Sequence, residues 1–266
     1  MAVAIGPLIG GVLAGFNFTI LFVIDCVISL ITAWIVWQFL PETKPEQGTT
    51  EKEEETFLKT LANYQKVFSD RIFLSFILLT TLTSLVYIQM NTTLAVFLSK
   101  FHGIGPGEFG VLLSINAGMV VVFQNFITKK ISRLHMFLAM SIGNFLYGLG
   151  FGLFGFTAHF WQFVSLIVII TLGELVIAPV ILALISHLAP EDMRGRYMAA
   201  FHVGWGTARS FGPWIAGWLI DYSDPNLIWY VGGILCVVVA IGYLILKKRV
   251  GERFEIFSNI DTNTVQ

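Results

Sequence analysis

Trp161–Leu188 reads WQFVSLIVIITLGELVIAPVILALISHL, and this one stretch leaves few folds open to the chain. At 1.5 Å per residue a helix of that length crosses a hydrocarbon core of ~30 Å. No water is available at that depth to satisfy a free backbone, so the stretch predicts a membrane-spanning helix. Glu174 stands at its centre. A carboxylate there is expensive unless it is protonated, hydrated or paired, and it is expected to face a protein interior or a water-filled cavity and to serve function.

Dividing the apolar runs at their polar and Gly/Pro breaks predicts eight spans, at about 2–16, 18–40, 72–98, 107–128, 135–157, 161–187, 197–220 and 226–246. The fold class is therefore an all-α polytopic membrane protein, as 56% hydrophobic against 12% charged residues requires. The first run reaches only ~23 Å, marginal for a bilayer. Residues 41–71 begin PETKPEQGTTEKEEE, too charged to bury, and read as a linker between bundles. The expected organisation is two closing helices of one bundle (1–40), the linker (41–71), a six-helix bundle (72–247) and a tail (248–266). Lys and Arg concentrate in the linker, after the fourth and sixth spans and in the tail, which places the linker and C-terminus in the cytoplasm.

Other function classes lose support. The net charge of -1 leaves no basic face for nucleic acid. A Gly-rich phosphate loop, a Cys/His cluster and a Ser-His-Asp arrangement are all missing, so neither an enzyme, nor an ATP-driven pump, nor a metal or cofactor is expected. Cys26 and Cys236 read as buried small hydrophobes, and Trp34, Trp37, Trp161 and Trp229 as interfacial anchors.

The chain also repeats itself. Gly6-Pro7-Leu8-Ile9-Gly10-Gly11 in the first span recurs as Gly212-Pro213-Trp214-Ile215-Ala216-Gly217 in the seventh. A Gly-Pro pair bends a spanning helix, and the small residues admit a close neighbour. If two six-helix halves are related by this offset, about four further helices are expected upstream of Met1. GPLIGG, the stretch FLPETKP at Phe39–Pro45, and LAPEDMRGRYMAAF at Leu188–Phe201 followed by GPWIAG together resemble the major facilitator superfamily, and within it the twelve-helix drug:proton antiporters. Ala2 and the degenerate TKKISR at Thr128–Arg133 depart from that pattern. The resemblance covers the chain as helices five to twelve. It implies a multi-pass protein of a cell membrane, bacterial plasma membrane in this case, that moves a small-molecule substrate by alternating access. It further implies efflux of hydrophobic or cationic drugs against protons. A carrier for a sugar, peptide or other metabolite remains open, as does a non-transporting fragment that needs a separate N-terminal half.

Glu174 and Arg209 fall near the midplane of sequential spans, where each offsets the desolvation of the other. The pair is either a static packing device or a coupling site in which Glu174 exchanges a proton or meets a cation. Asp25 is the other acid in an apolar run. Gln89, Asn91, Asn116, Gln124, Asn144 and Tyr147 are candidates to line a cavity or to hydrogen bond between helices. Gly143, Gly148, Gly150, Gly152 and Gly155 read as close helix packing.

Overall fold

The structure, a computed structural model, describes residues 18–39 and 67–250. The described residues are helical throughout apart from turns and short connections. The helices are α1 (Phe18–Phe39), α2 (Arg71–Tyr87), α3 (Thr93–His102), α4 (Pro106–Ile131), α5 (Met136–Leu153), α6 (Phe160–Leu188), α7 (Arg194–Tyr222) and α8 (Leu227–Val250). Gly6, Pro7, Gly10 and Gly11, the first expected span, most of the linker and the tail lie outside the described residues.

Among the described residues, six segments are long and apolar enough to cross a membrane: Phe22–Phe39, Arg71–Met90, Pro106–Ile131, Met136–Phe156, Phe160–Leu188 and Leu227–Val250. α7 is more polar, because Arg194, Arg196, Arg209 and Asp221 interrupt it, yet it packs along α2 within the same bundle. The third expected span, 72–98, is not one helix. After Tyr87 the chain tightens into a 3-10 turn at Ile88–Met90, and α3 starts anew at Thr93. Polar side chains take over from the backbone here: Gln89 Nε2 donates to the Leu85 carbonyl (2.8 Å), Thr92 Oγ1 to the Ile88 carbonyl (3.0 Å) and Thr93 Oγ1 to Gln89 Oε1 (2.5 Å).

α5 is the centre of the bundle, flanked by α6 and α8. Its expected glycine stripe lets both neighbours approach: Gly143 and Gly150 lie against Ile177 and Ile170 of α6, and Gly148 and Gly152 against Gly233 of α8. Polar ties add to this packing: Ser141 Oγ donates to the Ala240 carbonyl between α5 and α8 (2.9 Å), and α2 is tied to α8 by Thr80 Oγ1 and Tyr243 Oη (2.9 Å) and to α5 by Thr83 Oγ1 donating to Asn144 Oδ1 (2.6 Å). Two expectations for single residues fail. Trp229 is no interfacial anchor but is 1% exposed, packed edge-on to Phe97 and Phe154. Cys26 is exposed on α1, whose described side chains are all on the surface; Cys236 is buried as expected.

The helix ends are held by side chains. His135 Nδ1 accepts the Phe137 N–H at the start of α5 (3.3 Å); burial first, and Lys247 second, hold this imidazole below the usual histidine range, in the neutral form that can accept. Asp70 caps α2, its Oδ1 accepting from the N–H groups of Ile72 (3.0 Å) and Phe73 (3.1 Å), while Oδ2 accepts from the Tyr197 hydroxyl on α7 (3.2 Å). Asp70→Ala therefore loses a cap and an interhelical tie together. It is expected to lower stability by about 2 kcal/mol, with Asp70→Asn close to wild type, in thermal unfolding of the detergent-solubilised protein.

Candidate functional site

Glu174 lies one helical turn beyond Thr171 on the face of α6 that meets α4 and α2. Its Oε2 accepts from Asn116 Nδ2 at 2.7 Å, and the same amide donates to Thr171 Oγ1 at 3.0 Å. The Tyr87 hydroxyl at the end of α2 also interacts with the Glu174 carboxyl. The Tyr87 and Tyr147 rings stack, with centroids 5.6 Å apart. Glu174 is half-buried, whereas Asn116 and Thr171 are buried. The acid is thus surrounded by neutral groups.

The expected Glu174–Arg209 pair does not form; among the described residues no ion pair joins them. Arg209 is exposed and lies over the ring of Trp205, one turn earlier on α7, at 5.3 Å from its centroid. It borders a cavity of about 340 Å3 with Ser84, Tyr87, Asn91, Thr92 and Trp205. Tyr87 is common to both places: it meets Glu174 and lines the Arg209 cavity.

The other expected residues separate. Asn91 lines the Arg209 cavity, while Gln89 is buried and borders a second, largely apolar cleft with Gly212 and Trp229. Asn144 is fully buried and committed to Thr83 and to the Met140 carbonyl (2.8 Å), and Tyr147 packs against Tyr87 and Phe151. Asp25 sits exposed on α1. Gly212 lets α7 close on Ile88 and Gln89, whereas Gly217 has open space where a Cβ would stand. Pro213 lacks an N–H and so releases the Arg209 carbonyl from the helix ladder. Tyr87, Thr171 and Trp205 were not among the expected residues; the polar cluster YIQMNTT at Tyr87–Thr93, inside an otherwise apolar run, was the available signal for the first.

Gln124 has a defined task. Pro179 within α6 cannot donate to the Leu175 carbonyl four residues earlier, and Gln124 Nε2 from α4 does so instead (3.2 Å) while also reaching Thr128 Oγ1 (3.0 Å). Gln124→Ala is expected to cost about 1 kcal/mol. In a Pro179→Ala background, where residue 179 regains its N–H, that cost should largely vanish; a double-mutant cycle on thermal unfolding measures the difference.

A profile of the family described as Major Facilitator Superfamily matches residues 1–140 and 137–257. The chain is 27% identical over 252 residues to a Na(+), Li(+), K(+)/H(+) antiporter of Planococcus maritimus, covering 86% of this chain and 57% of that protein. It is 28% identical over 254 residues to YttB, an uncharacterized MFS-type transporter of Bacillus subtilis, with 93% and 62% covered. Multidrug resistance protein MdtH of Yersinia enterocolitica is 22% identical over 244 residues, with 90% and 58% covered. The chain thus spans about three fifths of the length of these relatives. Among solved structures, a POT family transporter in complex with a thioalcohol-conjugated peptide superimposes with a TM-score of 0.62 over 90% of this chain and 54% of that one, at 16% identity, a likeness of fold.

Proposed function

The chain belongs to the major facilitator superfamily, and from that premise we propose a proton-coupled secondary transporter in which Glu174 exchanges a proton for a cationic, largely hydrophobic substrate. The family makes it a multi-pass membrane protein that transports rather than catalyses. The observation that carries the proposal is the environment of Glu174: a half-buried carboxyl on α6, held by Asn116 and Tyr87, with no basic side chain paired to it among the described residues. A carboxylate so placed is neutralised either by a proton or by a cationic ligand, and the two compete for one site. That competition is what antiport requires. The names of the Planococcus and Yersinia relatives, a cation/proton antiporter and a multidrug resistance protein, point the same way.

In this reading the residue 72–247 bundle works against a first bundle, of which α1 is a part, with the linker and C-terminus on the cytoplasmic side. Everted membrane vesicles loaded with a pH-sensitive dye test it. Adding tetraphenylphosphonium to energised vesicles should release protons in a protein-dependent manner; inserted protein with no such release would overturn the proposal.

A further inference from the structure

We propose that the Arg209 cavity is a subsite for a carboxylate, so that the transporter also accepts compounds that carry an acidic group beside the basic one bound at Glu174. This deepens the transport reading above and rests on it.

Among the described residues Arg209 is the only basic one bordering that cavity, and it makes no hydrogen bond or ion pair to another of them. The Trp205 ring covers the guanidinium, a contact that leaves the N–H donors at its edges unused. Those donors form a planar fork suited to a planar, two-oxygen acceptor.

The rest of the lining limits what else fits. The hydroxyls of Ser84 and Thr92 already donate to the carbonyls of Thr80 (2.8 Å) and Ile88 (3.0 Å), and that of Tyr87 is engaged with Glu174. Among the described residues, donors without a partner remain on Arg209, the Asn91 amide and the Trp205 indole. The one guanidinium balances one negative charge, whereas a phosphate monoester carries nearly two at neutral pH. The Glu174 carboxyl, which Tyr87 also meets, further disfavours a dianion. Tyr87 joins two poles: Glu174, which it meets, offers an acid for a substrate nitrogen, and Arg209, with which it lines the cavity, a cation for its carboxylate.

The probe is hippurate, an aromatic glycine conjugate with one carboxylate, titrated calorimetrically into the full chain in phosphatidylcholine nanodiscs at neutral pH. One saturable site is expected. Arg209→Gln should weaken it by about 30-fold, and Arg209→Lys by only ~3-fold. Hippurate methyl ester, which lacks the charge, should show no dependence on residue 209. Equal binding of acid and ester, unchanged affinity in Arg209→Gln with wild-type unfolding temperature, or no saturable binding would each overturn the assignment. So would abolition of hippurate binding by phosphatidylglycerol in the nanodisc, which would give the site to a lipid headgroup. Glu174→Gln, which removes a like charge, should not weaken hippurate binding. Hippurate binding that depends on Arg209, together with proton release that ignores Glu174, would therefore sink the coupling proposal and spare this one; the opposite pattern would do the reverse.

Discussion

Glu174→Gln is expected to remove substrate-driven proton release from everted vesicles, a loss of ~100-fold or more, while insertion and unfolding temperature stay at wild type. The expectation follows from what the substitution keeps. Glutamine has the same shape, and its side-chain oxygen still accepts from Asn116 Nδ2, which now reaches Glu174 Oε2 at 2.7 Å. What it removes is the titration and the negative charge. A neutral side chain at this depth is cheaper than a carboxylate, so folding has no reason to suffer. A packing role for the acid predicts the opposite: intact coupling, or a loss of coupling that tracks a loss of folded protein. Glu174→Asp, which keeps the charge but draws it back from Asn116, should retain part of the flux. Measuring proton release and unfolding on the same preparations separates the two roles.

The helices were legible because a hydrocarbon solvent imposes one rule, an unbroken apolar run of sufficient length, and α4, α5, α6 and α8 obey it. The break after Tyr87 was not, because its cost is met locally by Gln89, Thr92 and Thr93, and such side chains look in sequence like ordinary polar residues in a span. Rotation about the helix axis was not readable. Glu174 and Arg209 were placed at one level by counting residues, yet an ion pair also needs the two side chains to face each other. Asn116 and Tyr87 meet the acid, and Trp205, one turn earlier on the same helix, takes the cation. Trp229 fails for a related reason. Its position near a span end suggested a bilayer interface, while the tertiary fold turns it inward against Phe97 and Phe154.

Gly233→Ala is expected to be the most damaging single-methyl change in the bundle. A Cβ at residue 233 would stand 2.5 Å from the Gly152 Cα, 3.0 Å from the Gly148 carbonyl oxygen and 3.0 Å from the Gly152 nitrogen. These are backbone atoms, so no rotamer change relieves the clash, and α8 must move away from α5 as a body. That movement strains the Ser141 bond to the Ala240 carbonyl and withdraws Trp229 from the aromatic cluster it completes. Overpacking of this kind costs about 3 kcal/mol, and since lipid offers no hydrophobic gain for reuniting the helices, van der Waals contact is the term that has to bear the loss. Gly217→Ala is the matched control: it lies in the repeated GPxI(G/A)G pattern, yet nothing stands within 4 Å of its Cβ position. Thermal unfolding in detergent should therefore show a large fall for Gly233→Ala and none for Gly217→Ala. Helix propensity favours alanine at both positions, so equal falls would mean that the loss does not come from the close approach of α5 and α8.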